Sequence, residues 1–278
     1  MACSYEDRIL RVVKYIHDNP AGDLSLDRLA DVAAMSRFHW HRVFHAMMVE
    51  TCAEMVRRVR LHQASLLLAQ GTDPVAEIAT RVGYPTPQSF GRAFRAVYRM
   101  TPLAFRKQGV PLVALRHMKP EEFKVFDVKI EDRGALRLAG QHHAGSYLGI
   151  GAKFEELAAT ATTRGFWGQT VAMAGIYFHD PAEVPEEDLR SFAGFILKDE
   201  AAVPEGLEEL GYMAGRVGVL TFKGPYSNMA EAYHYLYGRW LPESGEEAAD
   251  AAPYEVYLNS PADTPAEDLL TQLCVLLK

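Results

Sequence analysis

Residues 81–107 read RVGYPTPQSFGRAFRAVYRMTPLAFRK. The stretch predicts a turn at Gly83, a helix, and a second turn at Thr101-Pro102. Thr86 is placed to cap the helix and Pro87 to begin it. A side-chain oxygen can accept from an otherwise unpaired amide, and proline's fixed φ suits the first turn. Phe90, Ala93, Phe94 and Val97 recur at three- and four-residue spacing, so one face is apolar. The other face carries Gln88, Ser89, Arg92, Arg95 and Arg99. Such a face suits a helix lying in a DNA groove, where arginine meets phosphates or guanine edges and glutamine meets adenine. An isolated helix of this kind is ordinarily a solvated amphipathic surface, so the neighbouring segments decide between the two.

Upstream, residues 4–18 predict a helix with Ile9, Val12, Val13 and Ile16 on one face, ended at Asn19-Pro20. Ser25 caps a second helix with Leu26, Leu29, Ala30 and Ala33 inward. Ser36 caps a third, SRFHWHRVFHAMM, in which Phe38, Val43, Phe44 and Met47 alternate with His39, His41, Arg42 and His45. Thr51-Cys52-Ala53-Glu54 is a capping box, opening a long helix to about residue 70 with Gly71 as its stop. Asp73-Pro74 caps VAEIATRV, and residues 81–107 follow.

The pattern GY-x4-SF-x2-AF-x3-Y-x2-TP-x3-R resembles the second helix-turn-helix of the AraC/XylS family of transcription regulators, and residues 25–48 resemble the first. The resemblance implies two recognition helices joined by a rigid helix, reading successive major grooves of duplex DNA about 34 Å apart. It also implies RNA polymerase as a further partner. Carried over by position, the DNA-facing residues are Arg37, Phe38, His41 and Arg42 in the first unit. In the second they are Pro87, Gln88, Ser89 and Arg92. Phe38 and Pro87 depart from the polar or tryptophan side chains of the family pattern, which leaves the base preference open. His41 and His45 stand at i, i+4, a spacing that can bind zinc. With no acidic third ligand nearby, a polar or phosphate-facing role is the expectation, and no metal or cofactor is expected.

Charge supports the division. Residues 1–119 carry 17 Lys and Arg against 10 Asp and Glu, whereas residues 120–278 carry 12 against 26. A basic half suits a polyanion and an acidic half does not. The chain's 278 residues suit two domains, and no run of apolar residues is long enough to span a membrane. The start, MACSYEDRIL, has no basic-then-apolar leader pattern. Cys3, Cys52 and Cys274 are widely spaced, without a C-x-x-C pair, so a reducing cytoplasm is the expected home.

Residues 107–120 read as a connection, and Phe123–Ile130 alternates like a strand. A repeat follows at an offset of about eighty residues. HHAGSY at 142–147 aligns with TFKGPY at 221–226, and each precedes an amphipathic helix. AGIYFHDP at 174–181 aligns with YEVYLNSP at 254–261, and SFAGFILK at 191–198 with TQLCVLLK at 271–278. Each copy reads strand–helix–strand–strand, predicting an antiparallel sheet with helices on one side. The expected architecture is therefore an all-α double helix-turn-helix domain at 1–109, a linker at 110–120 and a duplicated α+β domain at 121–278.

This duplicated half resembles the GyrI-like effector-binding domain. The resemblance implies an aromatic pocket between the repeats, a glutamate at Glu255 that meets cationic ligands in several members, and a small aromatic or cationic effector. The place equivalent to Glu255 in the first repeat is Gly175. Strand parity puts Glu255 and Tyr257 on one side and Val256 and Leu258 on the other, which is expected to lie under the helices. The alternative leaves Glu255 on a solvated strand face. Tyr147, Trp167, Phe178, Tyr226, Trp240 and Tyr257 are the candidate pocket walls. Gly149-Ile150-Gly151 is only G-x-G, Ser146 and Ser227 sit in no nucleophile elbow, and the acidic runs at 183–188 and 243–250 read as solvated loops. The reading is a sequence-specific, ligand-responsive, non-enzymatic transcription regulator. One alternative has the back domain hydrolysing a reactive small molecule with Glu255 as base and Tyr147 or Tyr226 as its partner. Another makes it a protein-interaction module.

Overall fold

The computed structural model describes residues 4–108 and 124–278. The expected connection therefore lies outside the described residues from 109 onward, as does Phe123. The described residues form two compact units, 4–34 with 49–108, and 35–48 with 124–278.

In the first unit, α1 (Tyr5–Asp18) starts on a capping box of Ser4 with Asp7 and ends at Asn19. α2 (Leu26–Ala33) is capped by Ser25. The following helix, α3 (Trp40–Met48), belongs to the other unit. α4 (Cys52–Gln70) has the Thr51–Glu54 capping box and stops at Gly71. α5 (Val75–Arg81), α6 (Pro87–Tyr98) and α7 (Pro102–Gln108) complete the unit. Thr86 caps α6 and Pro87 opens it, as expected. Asp73 does not cap α5. Its carboxylate turns instead to Arg81 at 3.1 Å, and Pro74 supplies the start without a side-chain bond.

The core forms where Leu61, Ala64 and Leu68 of α4 meet Ile78 and Ala79 of α5, Phe90, Phe94 and Tyr98 of α6, and Phe105 of α7. The stripe on α6 runs Phe90–Phe94–Tyr98, and Val97 is 43% exposed, so Tyr98 takes the inward place expected of Val97. Gly83 makes the α5–α6 turn with φ +84°, and a Cβ there would meet the Pro20 carbonyl at 2.5 Å. Only glycine satisfies both conditions.

The second unit is built on one eight-stranded sheet in the order β1-β6-β8-β7-β3-β4-β2-β5. The strands are β1 (Val128–Arg133), β2 (Leu136–Ala144), β3 (Thr170–Tyr177), β4 (Arg190–Leu197), β5 (Glu208–Tyr212), β6 (Gly215–Lys223), β7 (Tyr254–Tyr257) and β8 (Leu270–Leu276). Every neighbouring pair is antiparallel. The helices are α8 (Gly151–Arg164), α9 (Met229–Tyr235) and α10 (Leu241–Ser244), with a π-turn at Leu236–Trp240 joining the last two into one rod. The repeat is β2-α8-β3-β4 followed by β6-α9-α10-β7-β8. Each copy also has a leading strand, β1 or β5, that pairs with the other copy: β1 with β6 and β5 with β2.

The copies meet where β3 pairs with β7, with Gly175 opposite Glu255. One sheet face carries Ala174, Ile176, Val219, Tyr254, Val256 and Cys274 in a core that Phe38 of the α3 segment also joins. The opposite face packs Tyr177, Ala193 and Phe195 against Leu157 and Ala161 of α8. Among the described residues no helix is long and apolar enough to cross a membrane.

Candidate functional site

Glu255 points from the central strand β7 to the helix-covered face and is only 3% exposed. The parity argument holds, but with the helices on the other side from expectation. Glu255 and Tyr257 face α8 and α9, while Val256 joins the far-face core and Leu258 is exposed. The two helices belong to different repeats, and the carboxylate sits at their shared centre.

Its oxygens are held by hydroxyls. Tyr233 of α9 donates to Oε1 at 2.8 Å and Tyr257 donates to Oε2 at 2.8 Å. Tyr257's hydrogen is thereby used, so Tyr177, 2.7 Å from the Tyr257 hydroxyl, donates to it. A Cβ at Gly175 would meet the Tyr177 ring and hydroxyl at 3.0 Å, which explains why only one strand of the pair carries a side chain here. Burial pushes the Glu255 carboxyl above its ordinary range, against the three tyrosine hydroxyls that favour the ionised form. Burial and the Glu255 charge push Tyr177, Tyr233 and Tyr257 well up in turn. Among the described residues no basic side chain forms an ion pair with Glu255.

Of the candidate walls, three gather here. Tyr257 is a direct partner, Tyr226 sets its ring 5.5 Å from Tyr257, and Tyr147 sets its ring 4.9 Å from Tyr177. The other three are elsewhere. Phe178 packs with the core of the opposite face, one residue out of phase with Tyr177. Trp167 stands edge-on to Phe195 of β4, its indole donating to Thr162. Trp240 lies over Gly218 of β6, where a Cβ would meet its ring at 2.8 Å. The sequence reading missed Tyr177 and Tyr233 as partners of Glu255, and Phe154 of α8, whose ring is 5.0 Å from that of Tyr257. Tyr177 had a signal: it follows Gly175 by two residues as Tyr257 follows Glu255. Tyr147, proposed as a partner in hydrolysis, instead donates to the backbone carbonyls of His179 and Arg190.

The DNA-facing candidates divide. On α6, Pro87, Gln88 and Arg92 are exposed, and Ser89 is half-buried with its hydroxyl donating to the Thr86 carbonyl. Arg95 and Arg99 are exposed beside them. On the α3 segment only Arg37 is exposed, its guanidinium 4.8 Å from the centre of the Phe38 ring. The expectation that Phe38, His41 and Arg42 stand on an open face is corrected. Phe38 is half-buried in the far-face core, and His41 and Arg42 are buried within the C-terminal unit. Arg42 donates to the carbonyls of Phe38, Tyr177 and His179, at 3.4 Å and 2.9 Å for the last two. Its guanidinium has enough donors to satisfy a ring of carbonyls, which is how a lone cation tolerates burial. Among the described residues no three His, Cys, Asp or Glu side chains are grouped to hold a metal.

Sheet, repeat and central glutamate together describe a known kind of domain. The chain belongs to the GyrI-like family: residues 126–278 match the GyrI-like small molecule binding domain, and residues 29–108 match a helix-turn-helix domain. The HTH-type transcriptional regulator MtrA of Neisseria gonorrhoeae is 30% identical over 104 residues, 37% of this chain and 35% of that protein. The regulatory protein SoxS of Salmonella typhimurium is 28% identical over 103 residues, 37% of this chain and 96% of that protein. Among solved structures, the EcmrR C-terminal domain is 15% identical with a TM-score of 0.45, covering 56% of this chain and 99% of that one. The chain spans about a third of the length of the first curated relatives it matches.

Proposed function

We propose that this chain is a ligand-responsive transcription regulator of the AraC type. Its helical region binds duplex DNA, and the cleft around Glu255 takes a small aromatic molecule bearing a positive charge. The observation that carries the ligand class is a buried carboxylate whose partners are tyrosine hydroxyls and which, among the described residues, pairs with no cationic side chain. An organic cation supplies the missing charge, and the rings of Tyr177, Tyr226, Tyr233 and Tyr257 add cation–π attraction. RNA polymerase as a further partner, and residence in the cytoplasm, belong to the same reading.

Binding rather than hydrolysis is the role proposed for the cleft. Both carboxylate oxygens accept from tyrosines, and Tyr147, one expected catalytic partner, is committed to backbone carbonyls. The test is calorimetric titration of the full chain with phenyltrimethylammonium and its uncharged isostere tert-butylbenzene. Tighter binding of the cation is expected, and equal affinities would remove Glu255 from recognition. Hydrolysis of an activated aryl ester, lost in Glu255→Gln, would turn the reading toward an enzyme.

A further inference from the structure

The α3 segment is held in the C-terminal unit by several bonds of different kinds. Ser36 donates to the Asp250 carboxylate at 2.9 Å, and His39 Nδ1 lies 3.0 Å from the Tyr237 hydroxyl with the rings stacked. Arg42 is ringed by carbonyls and lies 5.8 Å from the centre of the Tyr237 ring. Phe38 enters the far-face core, and His41 is buried beside Asp180, its Nε2 3.9 Å from the carboxylate and not hydrogen-bonded to it. Phe38, His41 and Arg42 are three of the four side chains of the first helix-turn-helix that the regulator reading sends to DNA. The same guanidinium cannot be enclosed by protein carbonyls and meet a base or phosphate at once.

The seat also shares its parts with the Glu255 cluster. Tyr233 and Tyr237 are one turn apart on the α9–π-turn rod, their rings parallel within 3° at 6.3 Å. The first holds Glu255 and the second holds His39. Tyr177 likewise reaches the Glu255 cluster through its hydroxyl and Arg42 through its carbonyl. π-turns recur where a helix serves a functional site, and this one contacts α3.

We propose that the C-terminal unit is an autoinhibitory clamp on the chain's own first recognition helix, with α3 exchanging between this seat and the DNA major groove. The proposal rests on the regulator reading above. The clamp competes with DNA for His41 and Arg42, so loosening the seat raises DNA affinity without altering the DNA-facing side chains.

The experiment uses the full chain and the double variant Tyr237→Phe/Asp250→Ala. It removes one hydroxyl and one exposed carboxylate, and keeps the buried ring. Amide exchange of residues 40–48 is followed by mass spectrometry, and DNA affinity is measured on a duplex selected from a random library by the unaltered chain. Faster exchange in 40–48 and roughly tenfold tighter DNA binding are expected, the weight of two hydrogen bonds at their usual net worth. Adding Arg42→Ala to the double variant should abolish the gain. Unchanged exchange, or faster exchange with unchanged DNA affinity, overturns the clamp. No DNA binding by any of the proteins, with exchange still accelerated, overturns the regulator reading and the clamp with it.

Discussion

On the reading proposed above, a single side chain, Glu255, specifies the ligand class. Its carboxyl is raised by burial, and an organic cation favours the ionised form, so binding the cation should release a proton. Affinity for phenyltrimethylammonium should therefore fall as pH drops through the raised carboxyl pKa. Calorimetry in buffers of different ionisation enthalpy checks this, and a pH-independent affinity with no proton release would contradict it. Glu255→Gln keeps the shape and removes the charge. It should weaken the cation by about 1.5–3 kcal/mol, the usual worth of a charge-assisted hydrogen bond, and flatten the pH profile. Gly175→Ala is a second, independent probe. The new methyl meets the Tyr177 ring at 3.0 Å and must push it aside, loosening the chain of hydroxyls that ends on Glu255. Weaker cation binding with the Glu255 carboxylate still present is expected, and unchanged affinity would show that Tyr177 does not matter to the cleft. Glu255 was legible in the sequence through the resemblance to the GyrI-like domain, supported by its place in an apolar alternating strand. Its partners were less so. Tyr233 reaches it from a helix whose rotation over the sheet is set by packing, and Phe178 differs from Tyr177 only in strand parity.

At the scale of elements, caps and periodicity carried the reading of α4 and α6, whose starts at Thr51 and Thr86 and whose stop at Gly71 fall where local chemistry puts them. The α3 segment shows the limit. Its alternation of apolar and basic residues predicts a basic open face, yet His39, His41 and Arg42 are buried. Local pattern cannot report that a carbonyl-lined seat more than a hundred residues away accepts that face. Burial foremost, then the Arg42 charge, pulls both histidines from 6.5 to about 3, with Asp180 opposing at His41. His179 also adds a small depressing effect there. The sign follows directly. Histidines kept neutral in the seat contribute full stability above pH about 6.5 and lose it as pH falls toward 3. Near pH 5.5 each should cost the seat on the order of 1 kcal/mol relative to neutral pH. Amide exchange across 40–48 should therefore accelerate between pH 7.5 and 5.5 once corrected for intrinsic rates, and should do so less in His41→Asn. Protection that does not change over this range would mean that seating does not hold the histidines below their ordinary pKa.

For the whole molecule, the division into a basic front and an acidic back was read from charge alone, and the repeat from its paired motifs. The exchange of leading strands β1 and β5 between the copies was not, because strand pairing at that distance leaves no local mark. The charge division makes a prediction for the intact chain. A front with 17 Lys and Arg against 10 Asp and Glu should bind duplex DNA with a steep salt dependence, each neutralised phosphate adding about −0.9 to the logarithmic slope. Arg92 is exposed on α6 and pairs with no acidic side chain among the described residues, so it is free to contribute. If it contacts a phosphate, Arg92→Ala should lower the slope by about one and weaken all sequences alike. If it pairs with a guanine edge, the loss should be about 1–3 kcal/mol and confined to one position of the site. Arg42→Ala differs because, on the clamp proposal, it removes both a proposed DNA contact and a bond of the α3 seat. Its net effect on the intact chain should be smaller than that of Arg92→Ala, and should grow when the seat is already loosened by Tyr237→Phe/Asp250→Ala. Anisotropy titrations over a series of salt concentrations separate these cases on five proteins, the unaltered chain, the two arginine variants, the double variant and the double variant with Arg42→Ala. A flat salt response in the unaltered chain would sink the reading of the basic half as a DNA-binding surface.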